Sequence, residues 1–208
     1  MSNQKVVLIT GASSGVGQST ARLLSQNGYK VFGTSRNPAG TAGIANVKML
    51  ALDVTSDDSV AACVKVVAND TGRIDVLVNN AAYELAGALE EISIEEAKAQ
   101  FETNFFGVMR MVKAVLPYMR HQKQGQIINV SSLSGVSSIP FMGIYSASKF
   151  ALEGYTDALR IEVRPFNIHA SLTEAGFLKT PMMNKRQVSA AQLKEYELRR
   201  QRAFTAMN

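Results

Sequence analysis

The sequence predicts an α/β protein built on a doubly wound parallel sheet of six strands. Apolar, β-branched runs alternate with helix-compatible stretches along the chain, and a glycine-rich turn joins the first of each kind. The predicted strands lie near 5–10, 30–35, 47–51, 74–79, 126–131 and 167–172. The predicted helices lie near 15–27, 56–70, 93–119 and 145–163. This alternation implies parallel strands with right-handed crossovers and helices on both faces of the sheet.

The first strand and helix are joined by Thr10-Gly-Ala-Ser-Ser-Gly-Val-Gly17, a candidate phosphate-binding turn. Gly11 can adopt turn dihedrals that a side chain forbids, Gly15 lets the backbone approach a pyrophosphate, and Gly17 allows close packing of helix on strand. The helix then offers unpaired N–H groups and the positive end of its dipole. The spacing differs from the commonest G-x-G-x-x-G, so taken alone it also fits an ordinary glycine-rich turn.

The end of the second predicted strand bears on which dinucleotide the turn would bind. Folds that prefer NAD usually place an acidic side chain there to hold the ribose 2′-hydroxyl. This sequence has Ser35 and Arg36 instead. An arginine can pair with a 2′-phosphate and a serine can donate to it, so NADP(H) is predicted over NAD. The alternative is that Arg36 is an ordinary surface residue.

A candidate acid–base group lies in the second half of the chain. Tyr145 and Lys149 are four residues apart at the start of a predicted helix, so both project from one face. A cation beside the phenol favours the phenolate and brings its pKa of about 10 toward the working range. Ser132 follows the fifth predicted strand and could hydrogen-bond a substrate carbonyl. The alternative for Tyr145 and Lys149 alone is a surface pair.

Composition sets mild bounds. The chain has 208 residues, 46% hydrophobic and 19% charged, which is typical of one soluble domain. Cys63 is its single cysteine, and no long apolar segment or signal peptide is evident, so a cytoplasmic protein without a membrane span is expected. The net charge of +5 arises after position 178. We expect a solvated C-terminal helix face there and no nucleic-acid partner.

The motifs together resemble the short-chain dehydrogenase/reductase family, in its compact single-domain branch with a Rossmann-like fold. The resemblance runs from about residue 5 to about residue 180. It rests on the turn at 10–17, Asp53-Val-Thr, Asn79-Asn-Ala-Ala82, Asn104 within Thr-Asn-Phe-Phe-Gly107, Ser131-Ser132, Tyr145-x-x-x-Lys149 and Arg164-Pro-Phe-Asn-Ile168. The sequence departs from the family at Ala82, where glycine is usual, and at Ala175-Gly176, where Pro-Gly is usual.

The resemblance implies an NADP(H)-dependent oxidoreductase that transfers a hydride between nicotinamide and a carbonyl or alcohol. Tyr145 would be the general acid or base, and Lys149 would hold the nicotinamide ribose and lower the tyrosine pKa. Ser132 would polarise the substrate oxygen, and Asn104 would anchor a water in a proton relay. The implied cofactor-binding residues are Gly11, Ser13, Ser14, Gly15, Val16, Gly17, Ser35, Arg36, Asp53, Val54, Asn79, Ala81 and Thr180. No metal is expected, and His121 and His169 are expected to be structural or solvent-facing.

The substrate pocket is expected to be largely apolar. Its predicted lining is Tyr83, Glu84, Leu85, Leu133, Ile139, Phe141, Met142 and the segment after Gly176. This lining favours a lipophilic ketone, aldehyde or secondary alcohol. The alternative is a catalytically weak or inactive NADP(H)-binding or interaction protein on the same fold, because the C-terminus is short.

A homodimer or homotetramer is expected. The predicted helix near 98–119 is apolar over too wide an arc for a helix with one solvated side. Members of the family pair this helix and the one near 145–163 across a two-fold axis. The alternative is that packing on the sheet uses the whole apolar arc.

The C-terminal segment is predicted to lack a seventh strand. Residues 1–208 are expected to form one dinucleotide-binding catalytic domain, with 177–208 as the substrate loop and a C-terminal helical segment. Ser189-Ala-Ala-Gln192 has the pattern of a capping box, which predicts a helix from there to about Ala203. No β-branched run follows, so the sixth strand is expected to be a sheet edge and the sequence a shortened form of a longer protein.

Overall fold

A computed structural model describes residues 4–41, 43–176, 178, 180 and 186–207. Its strands are β1 (Val6–Ile9), β2 (Lys30–Ser35), β3 (Val47–Ala51), β4 (Val76–Asn79), β5 (Leu85–Ala86), β6 (Gly125–Val130), β7 (Ile168–Thr173) and β8 (Gln187–Val188). Six of them form a parallel sheet in the order β3-β2-β1-β4-β6-β7. The strand order reverses between β1 and β4, which makes the sheet doubly wound and confirms the predicted fold class. In such sheets ligands bind at that reversal, beyond the carboxyl ends of the strands.

The helices are α1 (Gly15–Gln26), α2 (Asp57–Thr71), α3 (Ile94–Phe101), α4 (Gly107–Gln122), α5 (Gly143–Val163) and α6 (Glu197–Met207). One helix was predicted over 93–119, and the structure divides it with a π-helical turn, Glu102–Phe106. A capping box that joins Ser93 and Glu96 begins α3. None of the helices within the described residues has both the length and the apolar character needed to cross a membrane.

The core has two layers because side chains alternate across the strands. Along β1, Val6 and Leu8 pack into one layer, whereas Val7 and Ile9 pack into the other. The first layer continues into α2, α4 and α5 and the second into α1. Burial on both faces explains why the central strands are continuously apolar in sequence.

The C-terminal segment forms a short second sheet instead of extending the first. β8 pairs in parallel with β5, and β7 is the last strand of the main sheet among the described residues. The predicted helix start at Ser189 is wrong, because the Ser189 N–H donates to the Ala86 carbonyl oxygen (2.9 Å) and continues the β5–β8 pairing. Its hydroxyl donates to the Ala191 carbonyl oxygen, and α6 begins only at Glu197.

Three carboxylates hold residues 186–200 against the body of the protein. Glu84 pairs with Arg186, Glu91 pairs with Arg200, and Glu96 accepts from the Ala190 N–H at 2.9 Å. Most of the C-terminal basic residues in the described ranges are exposed, as predicted for a solvated face. Arg186 and Arg200 are the exceptions, because each is largely buried in an ion pair.

Candidate active site

Three glycines of the turn between β1 and α1 could not be replaced without strain, either because of their backbone angles or because no space is left for a Cβ. Gly11 and Gly15 have φ values of +66° and +58°, which side chains rarely tolerate. A Cβ on Gly11 would lie 2.9 Å from the Ala81 Cα, and one on Gly17 would lie 2.5 Å from the Gly11 carbonyl oxygen. The close packing at Gly17 agrees with the prediction for that residue, whereas the approach of Gly11 to the segment after β4 was not predicted.

Asn80 fixes this turn to the end of β4, a contact that the sequence analysis did not predict. Its Nδ2 donates to the carbonyl oxygens of Thr10 (2.9 Å) and Gly11 (3.0 Å). The N–H groups of Asn80 and Ala81 donate in return to the Thr10 hydroxyl, both at 2.9 Å. The adjacent pair Asn79 and Asn80 at the end of β4 was the only hint of this contact in the sequence, but the pair does not reveal which of the two side chains faces the glycines.

Asn79 does not reach the site that was predicted for it. Successive strand residues face opposite sides of a sheet, and the Asn79 side chain is buried, where its Nδ2 donates to Asn129 Oδ1 at 2.9 Å. Asn129 donates in turn to the Thr156 hydroxyl at 2.8 Å. The pair thus links β4 and β6 to α5, whereas the Asn80 side chain, directly after β4, faces the glycine-rich turn.

A cavity of about 810 Å³ runs from the glycine-rich turn to the start of α5. Most of the predicted site residues line it together: Gly11, Ser13, Ser14, Gly15, Val16, Ser35, Arg36, Asp53, Val54, Ala81, Ser132, Tyr145, Lys149 and Thr180. Gly17, Asn79 and Asn104 are not among its lining residues. The structure therefore brings the candidate phosphate-binding turn and the candidate acid–base group into one continuous space.

The turn end of the cavity suits an anionic ligand. α1 begins at Gly15, its N-cap Ser14 makes no side-chain cap, and its first turn has no acidic residue, so its N–H groups and dipole face the cavity uncompensated. Arg36 lies exposed at the end of β2 on the same cavity. Hydrogen bonds from Thr55, together with the charge of Arg36, lower the pKa of Asp53. The donors present fit a dinucleotide that carries phosphates.

The other end of the cavity holds Ser132, Tyr145 and Lys149. The Lys149 Nζ donates to the Val130 carbonyl oxygen (2.7 Å) at the end of β6, and it lies 5.8 Å from the centre of the Tyr145 ring. The Ser132 Oγ accepts from the Ser134 N–H at 3.1 Å and lies near enough to the Tyr145 phenol to lower its pKa. β6 and α5 therefore fix the three groups around one point.

The pKa values of this cluster differ in direction from the prediction for tyrosine. Burial raises the pKa of Tyr145 to about 12, with Glu84 adding to the rise and the hydrogen bond from Ser132 opposing it. Burial lowers the pKa of Lys149 to about 8, although the negative charge of Glu153 acts to raise it. The predicted fall in the tyrosine pKa is not seen in this state, because the cost of removing the phenolate from water exceeds the effect of the hydrogen bond from Ser132. At neutral pH the site holds a neutral phenol beside an ammonium.

Asn104 is enclosed behind the cavity in the π-helical turn. Its side chain accepts from the Tyr83 N–H (3.1 Å) and donates to the Tyr83 carbonyl oxygen and the Ser148 hydroxyl. Ser148 donates in turn to the Tyr145 carbonyl oxygen at 2.7 Å. The Asn104 side chain therefore joins the segment after β4 to α5, and the water relay implied for it stays a prediction.

The substrate end of the cavity combines apolar side chains with the ion pair of Glu84 and Arg186. Its lining includes Tyr83, Glu84, Leu133, Ile139, Met142 and Leu178. Leu85 and Phe141 were predicted here but lie elsewhere, because Leu85 is buried in β5 and the Phe141 ring stacks edge-on against Tyr196. Arg186, from the segment after Gly176 that was predicted to line the pocket, does line the cavity and pairs with Glu84.

The sequence model of the short-chain dehydrogenase family matches residues 5–190. The chain belongs to this family. Its members are NAD(P)-dependent oxidoreductases that act on CH–OH groups, which agrees with a glycine-rich turn and a Ser-Tyr-Lys cluster on one cavity. The resemblance drawn from the sequence is confirmed.

Two curated relatives in the short-chain dehydrogenase family are closely similar. The chain is 50% identical over 185 residues to a 3-ketodihydrosphingosine reductase of Bacteroides thetaiotaomicron, covering 89% of this chain and 68% of the relative. It is 42% identical over 202 residues to retinol dehydrogenase 8 of Homo sapiens, covering 90% of this chain and 64% of the relative. The chain thus spans about two thirds of the length of these relatives.

Solved structures of short-chain dehydrogenases share the architecture. A short-chain dehydrogenase from Streptomyces avermitilis superimposes with a TM-score of 0.87 at 34% identity, covering 96% of this chain and 75% of that one. The structure of ElxO with NADP bound superimposes with a TM-score of 0.80 at 31% identity, covering 88% of this chain and 77% of ElxO. A 3-ketoacyl-(acyl-carrier-protein) reductase from Brucella melitensis complexed with NADH superimposes with a TM-score of 0.84 at 27% identity, covering 89% of this chain and 80% of the reductase. The neighbours include both nicotinamide cofactors.

Proposed function

We propose that this protein is an NADP(H)-dependent oxidoreductase that interconverts a lipophilic ketone or aldehyde and the corresponding alcohol. The observation that carries the proposal is the common cavity, on which Ser132, Tyr145 and Lys149 lie at one end and the glycine-rich turn with Arg36 at the other. When bound, the nicotinamide dinucleotide supplies or accepts the hydride. The polypeptide binds and orients the reactants and moves the proton.

In the direction of reduction, Tyr145 is the proton donor. Its phenol is neutral across the physiological range because its pKa is about 12, so it can protonate a carbonyl oxygen as that oxygen gains negative charge. Ser132 donates a second hydrogen bond to the same oxygen. Lys149 holds the ribose, and its ammonium stabilises the phenolate that is left after the proton is transferred. In the direction of oxidation the phenolate acts as the base.

The preference for NADP(H) rests on the end of β2. Arg36 is exposed on the cavity beside Ser35, where its guanidinium can pair with a 2′-phosphate. The remaining proposed cofactor contacts are Ser13 to Val16 with the phosphates, Asp53 and Val54 with the adenine, Ala81 with the adenosine and Thr180 with the nicotinamide. Asp53 is held in place, since its carboxylate accepts from the Thr55 N–H and hydroxyl at 2.9 and 2.8 Å.

NADPH is expected to bind at least tenfold more tightly than NADH. A charge-assisted pair between Arg36 and the additional phosphate is worth about 1.5–3 kcal/mol, which corresponds to about tenfold or more in affinity. Fluorescence titration of both cofactors measures the ratio. Arg36→Ala should reduce the ratio toward one, whereas Arg22→Ala, at an exposed arginine of α1, should preserve it. Equal affinities in the wild type, or an unchanged ratio in Arg36→Ala, would show that Arg36 takes no part in recognition.

The proposed substrate follows from the apolar lining around Tyr145. Leu133, Ile139 and Met142 offer no hydrogen-bonding groups, and the charge of Arg186 is paired with Glu84, which together disfavour free sugars and phosphate esters. The named substrates of the two relatives, a 3-ketodihydrosphingosine and a retinol, are consistent with a long apolar chain. Incubating the protein with NADPH and a panel of long-chain and cyclic ketones, and following the loss of NADPH absorbance, tests the activity. Turnover excludes the second candidate, a protein that binds NADP(H) without catalysis.

We extend the proposal to the whole chain. Residues 1–208 would act as one dinucleotide-binding catalytic domain. Its segment 177–208 would supply the substrate loop and the C-terminal helical segment. Within that segment, residues 177, 179, 181–185 and 208 lie outside the described residues. The buried free thiol of Cys63 agrees with a reducing, cytoplasmic location.

The protein is expected to form at least a homodimer through α4 and α5. Phe106, Phe150 and Ile161 are 43%, 46% and 75% exposed on or beside these helices, although Val108 and Val112 are used in the core. Large exposed apolar side chains on two neighbouring helices suit a subunit contact. Light scattering at micromolar concentration should give at least twice the 22.5 kDa chain mass. Phe150→Glu should weaken the assembly, and a monomeric wild type would contradict it.

A further inference from the structure

Lys149 carries a charge in a place that disfavours it. The residue is only 3% exposed, and burial lowers the pKa of its ammonium to about 8. Its described hydrogen-bond acceptor is the neutral Val130 carbonyl oxygen, and the neighbouring Tyr145 phenol is neutral as well. Neither group is an anion, so neither accounts for retention of the proton at neutral pH.

The charge that opposes loss of the Lys149 proton belongs to Glu153. It lies four residues after Lys149 on α5, so the two side chains share one face of the helix. Its carboxylate raises the pKa of Lys149 against the effect of burial. The other carboxylate near the cluster is Glu84, which comes from the segment after β4 and acts on Tyr145. Polar but uncharged groups come from Val130 at the end of β6, from Ser131 directly after it, from Ser148 on α5 and from Asn104 in the π-helical turn.

Glu153 also makes a direct contact with the strand end that carries Ser132. Its Oε1 accepts a hydrogen bond from the hydroxyl of Ser131, which is 3% exposed and directly precedes Ser132. Gly135 leaves the space for this contact. A Cβ there would lie 2.7 Å from the Ser131 Oγ and 2.9 Å from the Glu153 Oε1. The half-buried carboxylate therefore lies between the end of β6, the turn after it and α5.

We propose that Glu153 is a positioning residue that joins the two halves of the Ser-Tyr-Lys cluster. Through Ser131 it fixes the end of β6 beside Ser132, and through its negative charge it retains the ammonium of Lys149. The inference deepens the proposed function and rests on it for the role of the cluster. Its tests separate the two, because the protonation of Lys149 can be measured without any reaction.

The first test measures the titration of Lys149 in the cofactor-free protein. Lysine labelled with ¹³C at the ε position gives one NMR signal per residue, and loss of a signal in Lys149→Arg assigns it. The wild-type midpoint should lie at about pH 8. Glu153→Gln keeps an acceptor for Ser131 but removes the charge, so its midpoint should lie at least about one pH unit lower. Glu153→Asp should recover most of this difference.

The second test compares the pH dependence of reduction. Reduction needs the protonated form of Lys149, so the ratio of kcat/KM at pH 8 to that at pH 6 reports the Lys149 midpoint. This ratio should be about fivefold smaller in Glu153→Gln than in the wild type, which corresponds to a midpoint one pH unit lower. Ser131→Ala should keep the wild-type ratio while lowering kcat severalfold at every pH, because it loses only the contact at β6. Glu162→Gln, an exposed carboxylate near the other end of α5, should match the wild type in both measurements.

The outcomes distinguish the inference from the proposed function. A Lys149 midpoint that is the same in Glu153→Gln and wild type overturns the electrostatic role. A wild-type kcat in Ser131→Ala overturns the positional role. A wild type that reduces no ketone refutes the proposed function, but it leaves the NMR titration as a decisive test of the coupling between Glu153 and Lys149. If Glu153→Gln does not fold, as judged by circular dichroism, a wild-type kcat in Ser131→Ala still overturns the proposal.

Discussion

Replacement of Tyr145 by phenylalanine is expected to lower kcat for carbonyl reduction by about 10²–10⁴-fold. The substitution removes the transferable proton and leaves the ring, which packs against Met142. Cofactor affinity should therefore change little. Lys149→Ala should lower both turnover and cofactor affinity, because the ammonium is proposed to serve the ribose and the phenol together. Steady-state kinetics together with cofactor titration separates the two effects.

Tyr155→Phe is the matched control for this substitution. Tyr155 lies on the same helix, and burial raises its pKa to about 12 as well, but it packs against Phe105 away from the cavity. Its replacement should change kcat less than about twofold. If Tyr145→Phe retained the wild-type rate, the proton would have to come from another group and the role of Tyr145 would be refuted.

Replacement of Glu91 by alanine is expected to lower the free energy of unfolding by about 3–5 kcal/mol. The Glu91 carboxylate is 3% exposed and pairs with Arg200. It also accepts from the N–H groups of Leu193 (2.7 Å) and Ala88 (2.8 Å). Its loss would leave the buried Arg200 guanidinium, the buried Ala88 N–H and the partly buried Leu193 N–H without this acceptor. Chemical denaturation measures the loss, and hydrogen exchange should show that residues 187–205 lose protection first.

The control for Glu91 is Glu195→Ala, an exposed carboxylate in the same C-terminal segment, which should change stability by less than about 0.5 kcal/mol. Burial alone would raise the pKa of Glu91, but hydrogen bonds from Arg200, Ala88 and Leu193 hold it below its usual value. Its stabilisation is thus present above about pH 4.5 and is lost as the pH falls through the lower folded value. A Glu91→Ala protein as stable as Glu195→Ala would contradict the account.

The sequence was sufficient for the main sheet. The bounds of β2 and β3 were predicted at 30–35 and 47–51, and the structure has Lys30–Ser35 and Val47–Ala51. Strands buried on both faces are continuously apolar and lie between turn residues, so their positions can be read locally, and the helices between them predict that they are parallel. The glycine-rich turn, Ser132, Tyr145 and Lys149 were also predictable, because a strand end and one helix face determine where such side chains lie.

Features that depend on contacts distant in sequence were not predictable. The π-helical turn at Glu102–Phe106 accompanies the bonds of Asn104 to Tyr83 and Ser148, and helical periodicity does not encode those partners. Ser189 matches a capping box, but pairing of β8 with β5, about a hundred residues earlier, fixes it in extended structure. The direction of the Tyr145 pKa shift depends on burial, which the four-residue spacing to Lys149 does not reveal.

Transfer of deuterium tests the central claim most directly. The protein would be incubated with a long-chain ketone and NADPH labelled with deuterium at either face of nicotinamide C4, and the product alcohol would be analysed by mass spectrometry. The account predicts one deuterium on the carbinol carbon from one of the two labelled cofactors, at a rate that falls by about 10²-fold or more in Tyr145→Phe. An alcohol without deuterium from either cofactor, or no alcohol from any ketone of the panel, would contradict it.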